Sequence, residues 1–331
     1  MNVELFKNLC AVYGPSGDEG NVAAFILNDI KDYIDGHEID ALGNLIAHKK
    51  GPGKKMMLAG HMDQLGLIVV DITKEGFLYF SPLGGNPPTN LKTQRVVFKN
   101  GAAGVVNCER LDNDKDMTLD RMYIDVGAKD DIDAANYASV GDIAVFAAPP
   151  FAVTAKFISP AIDDRAGCFV MMEALKKITS PAFDLYFVFT AQEELGIRGA
   201  RTSAYSVDPD YGIAFDVTPA FDTPKARKLP AKLHGGAAIK LKDSSVICHP
   251  NIIKHMEQCA KDAGVKYQFE ILESGGTDSG SIHISRGGVP SGVISIPTRN
   301  LHSSGEMCSL SDVEDCIALT VKALETPIIE K

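Results

Sequence analysis

The sequence contains no tryptophan, and aromatic residues make up only 7% of its 331 positions. It also lacks an excess of positive charge, because 33 Lys and Arg residues stand against 43 Asp and Glu residues and give a formal net charge of −10. Nucleic acids and anionic membranes are bound by basic surfaces, so we expect neither as a partner. No uncharged apolar run approaches the roughly 20 residues that a membrane-spanning helix needs.

Cysteine is present but has no pattern. The seven cysteines are scattered, odd in number and contain no Cys-x-x-Cys pair. We therefore expect reduced, mostly buried thiols rather than a disulfide framework or a thiolate metal site. The first residues show no basic and apolar signal-peptide pattern, and together these features predict a cytoplasmic protein.

The remaining composition is that of a folded protein, with 45% hydrophobic and 23% charged residues. Strand and helix patterns alternate over residues 1–70 and again over 152–331, which predicts one discontinuous α/β domain. Residues 71–151 instead contain short strands and turns with almost no helical periodicity, as in a small inserted all-β, barrel-like domain. Ser311 and Glu314 have capping-box spacing and predict the start of the last helix.

Five polar clusters share one position in the predicted fold, each just after an apolar strand. Ligands of open α/β sheets bind outside the carboxyl ends of the strands, so we expect these clusters to converge. Two histidines among several carboxylates form the mixed nitrogen and oxygen set of a metal site. The clusters are His61 with Asp63, Asp163 with Asp164, Glu193 with Glu194, Asp216, and His302.

Chemistry suggests roles within this set. Two divalent ions about 3.5–4 Å apart need a shared ligand, and the two oxygens of a carboxylate such as Asp163 suit that role, although Asp163–Asp164 could also cap a helix. One of Glu193 and Glu194 could bind metal while its neighbour serves as general base for a water molecule. Asp63 lies two residues after His61, on the same side of an extended segment, and could orient the imidazole.

The sequence resembles the M42 family of metallo-aminopeptidases over essentially its whole length. Six motifs in order carry the resemblance, where any single one would be weak. They are Gly60-His-Met-Asp-Gln-Leu-Gly66, Ala161-Ile-Asp-Asp-Arg-Ala-Gly167, Thr190-Ala-Gln-Glu-Glu-Leu-Gly-Ile-Arg-Gly-Ala200, Ala214-Phe-Asp-Val-Thr218, Gly275-Gly-Thr-Asp278 and Pro297-Thr-Arg-Asn-Leu-His-Ser303.

The resemblance implies a three-layer α/β metallopeptidase domain, phosphorylase/hydrolase-like, with the β insert making oligomer contacts. It implies two divalent ions, zinc or cobalt with manganese possible, one held by His61 and Asp216 and the other by Glu194 and His302. The resemblance also implies that Asp163 bridges the ions, that Glu193 is the general base and later the acid, and that Asp63 orients His61. Weighed by itself, the loop with Gly276, Thr277 and Asp278 could line the substrate pocket or could be a plain glycine turn between a strand and a helix. A cis peptide between Asp163 and Asp164 is implied as well.

The implied activity is removal of N-terminal residues from short peptides by a homo-oligomer, from a dimer up to a dodecamer. The sequence departs from many relatives at Gln64, where they have Glu, and at residues 107–120, which resemble an exposed hairpin of their own. Three alternatives stay open at this stage. They are a glycosidase, which the absence of tryptophan disfavours; a deacylase or carboxypeptidase on a similar fold; and a catalytically silent assembly protein.

Overall fold

The computed structural model describes residues 1–329 and contains two β-sheets, a large open sheet and a closed barrel. The strands of the large sheet are β1 (Gly36–Ile39), β2 (Leu45–Lys49), β3 (Lys55–His61), β10 (Phe151–Val153), β11 (Lys156–Ser159), β12 (Asp184–Thr190), β13 (Tyr211–Pro219), β14 (Ala237–Lys242), β15 (Tyr267–Ile271), β16 (Ser291–Arg299) and β17 (Glu306–Ser309). The barrel strands are β4 (Gly66–Ile72), β5 (Leu78–Leu83), β6 (Arg95–Phe98), β7 (Ala103–Cys108), β8 (Met122–Asp125) and β9 (Ile143–Phe146).

The helices surround the large sheet, apart from two short ones in the insert. They are α1 (Val3–Ala11), α2 (Gly20–Ile30), α3 (Pro88–Leu91), α4 (Asp131–Ala134), α5 (Ile162–Lys177), α6 (Arg198–Val207), α7 (Pro250–Ala263), α8 (Ser279–Ile282) and α9 (Leu310–Glu325). Short 3-10 turns cover Lys31–Tyr33, Asp114–Asp116 and Leu119–Arg121. No helix within residues 1–329 combines the length and apolar composition needed to cross a membrane.

The large sheet has the order β1-β2-β12-β3-β13-β16-β17-β11-β10, with β14 pairing with both β16 and β15. Its centre is parallel: β12 pairs with β3, β3 with β13, and β13 with β16. Met56, Met57, Leu58 and Ala59 of β3 are all fully buried, as expected for a parallel strand that is covered on both faces.

Helices cover both faces of this sheet. The buried residues of α1, α2, α5, α7 and α9 share one core cluster with the sheet, while residues of α6 and α8 belong to another cluster. The three-layer α/β prediction is therefore confirmed. Helix α5 is buried along its length from Ile162 to Leu175, including its charged residues Asp163, Asp164, Arg165 and Glu173, so it has no solvent-facing side over this stretch. A cis peptide joins Asp163 to Asp164 at its start, as the resemblance implied.

The barrel closes in the order β4-β5-β8-β7-β6-β9 and has a core of its own. It begins at Gly66, before the predicted boundary at 71, because β4 follows β3 almost directly. It ends at Phe146, and β10 (Phe151–Val153) pairs with β11 in the large sheet. The barrel-like character of the insert is confirmed; its strands lie between Gly66 and Phe146, and the insert was expected at residues 71–151.

Two local predictions were wrong. Residues 107–120 do not form a separate hairpin: Asn107 and Cys108 end β7, and residues 109–120 belong to the long connection from β7 to β8, which pair with each other. Helix α9 begins at Leu310 rather than at a Ser311 cap. The residue at its N-cap, Ser309, makes no side-chain capping hydrogen bond. The Asp312 carboxylate in the first turn accepts the main-chain N–H groups of His234 and Gly236 of another loop, 2.7 and 3.0 Å away. All seven cysteines are free and buried, as expected.

Candidate active site

The predicted site residues meet at one edge of the large sheet. His61 ends β3 and Asp216 lies in β13, while Glu193–Glu194 and His302 follow β12 and β16. These four strands are parallel neighbours, so their carboxyl ends open onto the same crevice. The start of α5 brings Asp163 to that crevice from the helical layer.

Asp163 lies between the two histidines. Its Oδ1 is 3.0 Å from His61 Nε2, and its Oδ2 is 3.4 Å from His302 Nε2. Burial alone would raise the pKa of Asp163, but hydrogen bonds from His302 and His61 outweigh burial and lower the pKa. The carboxylate therefore stays ionised and presents one oxygen to each imidazole, which is the arrangement that a shared ligand between two cations requires.

Two overlapping groups of side chains have their ligand atoms within 4.8 Å of one another. One contains His61, Asp164 and Asp216, and the other contains His61, Asp163 and Glu194. Asp164 was in one of the clusters that were expected to converge, but it was not assigned as a ligand. Its Oδ2 is buried without a hydrogen-bond partner, and so is Glu194 Oε1. Unpaired buried carboxylate oxygens are costly, so divalent cations fit this donor set well.

The pKa values of the side chains in this cluster also support the fit of divalent cations. Burial is the main cause that raises the pKa of Glu194 to about 8 and the pKa of Asp216 well above its ordinary value. The contact with Asp163 raises the pKa of His302 to about 10. Carboxylates that resist ionisation beside a histidine that retains a proton indicate an excess of negative charge, which bound cations would neutralise.

Asp63 does more than the sequence predicted. His61 Nδ1 lies 3.5 Å from Asp63 Oδ1 but only 3.0 Å from the Asp63 main-chain oxygen. The backbone of Asp63 is therefore closer to this ring nitrogen than its carboxylate is. The carboxylate also accepts the N–H groups of Glu193 and Glu194, 3.0 and 3.2 Å away, and the Ser16 hydroxyl at 2.6 Å. Asp63 thus fixes both the His61 ring and the Glu193–Glu194 backbone.

Glu193 points toward the same cluster, with Oε2 4.0 Å from His61 Nε2. Its side chain is 12% exposed, so it lies at the edge of the site rather than in the core. Burial is the main cause that raises its pKa well above the ordinary value. A carboxyl group with a raised pKa can both accept and return a proton near neutral pH.

The predicted pocket loop is mostly directed inward. Thr277 and Asp278 are buried, and only Gly276 is half-buried. Asp278 Oδ2 accepts the Thr190 hydroxyl at 2.6 Å, while Oδ1 is buried without a partner. Burial raises the pKa of Asp278 to about 6. The loop therefore contacts the end of β12 through Asp278, and Gly276 is its more accessible residue.

Sequence reasoning missed Glu306. This buried carboxylate accepts the Asp163 N–H with Oε2 at 3.1 Å and the His302 N–H with Oε1 at 2.9 Å. It joins the backbones of two predicted ligands that are far apart in the chain. Glu19 was also missed, and its Oε1 accepts the Gln192 N–H at 3.0 Å beside the Glu193–Glu194 pair. Both act on main-chain amides, which leave no spacing signal in a sequence.

Arg165 was part of a recognised motif, but its role was not predicted. Its guanidinium is fully buried and donates to four main-chain carbonyls. Nε donates to Met62 at 2.6 Å, Nη1 to Leu9 and Val12 at 2.8 and 3.2 Å, and Nη2 to Gly14 at 3.2 Å. The side chain ties the residue after His61 to the N-terminal segment that carries Ser16.

Comparison with known proteins identifies the family to which the chain belongs. The profile of the family described as M42 glutamyl aminopeptidase matches residues 43–319. A relative from Acetivibrio thermocellus, provisionally named an aminopeptidase, is 46% identical over 97% of this chain and 98% of its own. An aminopeptidase structure from Desulfurococcus kamchatkensis superposes with a TM-score of 0.94 at 35% identity, covering 98% of this chain and 94% of that one.

A second similar structure is the TET1 peptidase of Pyrococcus horikoshii, with a TM-score of 0.87, 29% identity, and coverage of 97% of this chain and 98% of that one. That protein is described as assembling into a tetrahedron or a large octahedral shell. The present chain belongs to the M42 family. It is accordingly a hydrolase, a metal-dependent aminopeptidase, and the glycosidase, deacylase and silent alternatives are set aside.

Proposed function

We propose that this aminopeptidase removes the first residue of short peptides with two divalent cations. His61 and Asp216 would hold one cation, Glu194 and His302 the other, and Asp163 would bind both. The observation that carries the proposal is the position of Asp163, whose two oxygens face the two imidazoles at 3.0 and 3.4 Å. Zinc, cobalt and manganese all suit a nitrogen and oxygen ligand set.

The cations, when bound, would polarise the scissile carbonyl and lower the pKa of the attacking water. Glu193 accepts the proton of that water and returns it to the leaving amine. Its raised pKa suits both steps. Asp63 keeps Glu193 in place through its main-chain N–H, and keeps His61 oriented at the same time. The carboxylates that line the crevice would attract the free α-amine of a peptide, which favours cleavage at the N-terminus.

Replacing Glu193 with Gln tests this proposal. The variant keeps the shape of the side chain but cannot accept a proton, so we expect kcat for aminoacyl anilides to fall by about 10²–10⁴-fold. Metal content by emission spectroscopy should stay at two ions per chain, and the exposed Glu75→Gln variant should match the wild type. Near-normal turnover of Glu193→Gln would remove Glu193 from the role of base.

The proposal also includes an oligomeric state and a cellular location. A homo-oligomer, from a dimer up to a dodecamer, is supported by the shells that the similar TET1 peptidase forms. Light scattering after size exclusion would measure its mass, and a monomer at micromolar concentration would contradict it. The seven free, buried cysteines support a cytoplasmic location.

A further inference from the structure

One segment of the barrel insert reaches out of its own domain and contacts the metal-site cluster. We call residues 84–91, which connect β5 to the end of helix α3, the barrel arm. The Gly85 main-chain oxygen accepts a hydrogen bond from His302 Nδ1 at 2.6 Å. The Asn90 side-chain Nδ2 donates to the His302 main-chain oxygen at 3.0 Å. The arm therefore holds His302 both by its ring and by its backbone.

The contact with the ring decides which nitrogen can bind a cation. A carbonyl oxygen accepts only, so Nδ1 of His302 must carry the hydrogen that bonds to Gly85. In the neutral form of His302, which is the form that binds a cation, the lone pair is therefore on Nε2, and this is the atom that faces Asp163 Oδ2. Partners of this kind orient metal-binding histidines and typically change metal affinity by about 10–100-fold when removed.

Two glycines allow the arm to come this close. A Cβ at Gly84, where φ is +81°, would lie 2.5 Å from Leu65 Cδ2 and 3.0 Å from Glu194 Oε2. A Cβ at Gly85 would lie 2.9 Å from His302 Nδ1. The arm thus packs against Glu194 and His302, the two side chains that are proposed to hold the second cation together with the shared ligand Asp163.

The arm is firmly attached to the barrel. The side chain of Asn86 is 7% exposed and donates to the main-chain oxygen of Leu83 at 3.1 Å, which closes the turn that leaves β5. At the other end, Leu91 is fully buried in the barrel core. The position of the barrel arm is therefore set by the barrel. By contrast, His61 and Asp216 are carried by β3 and β13 at the centre of the large sheet.

The backbone of His302 needs this support. His302 has φ of +59°, in the left-handed region that side chains other than glycine adopt rarely. Its amide is held by Glu306 and its carbonyl by Asn90, so the α/β domain and the insert each supply one of the bonds that keep the residue in place.

We propose that the barrel arm completes the cation site. It is a positioning element that sets the affinity of the half formed by Glu194 and His302 and leaves the half formed by His61 and Asp216 unchanged. This inference rests on the proposed function, since it requires His302 to be a metal ligand. It gives the β insert a role inside the active site of its own chain.

The test compares Asn90→Ala and Gly85→Ala with a matched control, Asn100→Ala. Asn100 also lies in the insert and also donates one Nδ2 hydrogen bond to a main-chain oxygen, that of Tyr137 at 2.9 Å, away from the site. Each full-length protein is stripped with a chelator and titrated with Zn²⁺ against a fluorescent zinc chelator. His302→Ala identifies which of the two binding steps belongs to the second cation.

We expect Asn90→Ala and Gly85→Ala to weaken that step by about 10-fold or more and to leave the other step within about twofold. Asn100→Ala should leave both steps unchanged. If Asn90→Ala binds the second zinc ion as tightly as the wild type, or loses the same affinity in both steps, the inference is wrong. Asn90→Ala decides the question even where Gly85→Ala does not fold. If His302→Ala still binds two zinc ions, the ligand set of the proposed function fails instead, so the two failures are distinguishable.

Discussion

Arg165→Lys should destabilise the protein strongly although it keeps the charge. Arg165 donates four hydrogen bonds in three directions to main-chain carbonyls of Leu9, Val12, Gly14 and Met62. A lysine ammonium is a compact donor that cannot reproduce this fork. We take two carbonyls to be left without a partner. At about 1–3 kcal/mol for each buried orphan, the free energy of unfolding should fall by about 2–6 kcal/mol.

The measurement is urea unfolding followed by far-UV circular dichroism, since the chain has no tryptophan to report by fluorescence. Both proteins are compared in chelator, because bound metal would add its own stabilisation. Arg286→Lys is the matched control: Arg286 also donates to a main-chain oxygen, that of Tyr205, but its side chain is 41% exposed. The control should change by less than about 0.5 kcal/mol. An Arg165→Lys variant within 1 kcal/mol of the wild type, a margin of about one ordinary substitution, would refute the reasoning.

Three further predictions follow from single contacts. Ser16→Ala removes one donor from buried Asp63, so unfolding free energy should fall by about 1–3 kcal/mol and kcat should fall more than KM changes; an unaltered kcat and stability would contradict this. Burial lowers the pKa of His255, which contacts the Ala323 oxygen at 2.9 Å. The unfolded chain therefore binds a proton first, and stability should fall by up to about 1.4 kcal/mol per pH unit below about pH 6.5. His255→Gln should lose that part of the slope in urea titrations, and an identical slope would refute it. Chelator should abolish anilide hydrolysis reversibly, with return on adding Zn²⁺ or Co²⁺, and resistant activity would argue against a metal site.

The sequence was informative where a functional side chain follows an apolar strand. His61, Asp216 and the Glu193–Glu194 pair could be located because parallel strands end at one edge, and this placement depends only on local pattern. The position of Asp163 at the same crevice could be predicted as well, because its motif opens a helix after a strand.

What the sequence could not reveal depends on contacts between distant segments. Glu306 binds two main-chain amides, and nothing in the sequence distinguishes it from a glutamate on the surface. The Asp312 carboxylate accepts two main-chain amides of a distant loop, a contact that no local pattern indicates. The limit of the barrel was missed because β4 (Gly66–Ile72) continues an apolar pattern that begins in the other sheet.

The passage from β3 to β4 has a mechanical consequence. Residues 62–65 are the whole path from the large sheet into the barrel on that side, and Met62, Asp63, Gln64 and Leu65 are all buried. On the return side, residues 147–150 are just as few. The connection on the β3 side also carries Asp63, whose carboxylate accepts the N–H groups of Glu193 and Glu194. A rotation of the barrel about these two connections would therefore also displace the residue that holds the Glu193–Glu194 backbone, which couples the orientation of the insert to the geometry of the crevice.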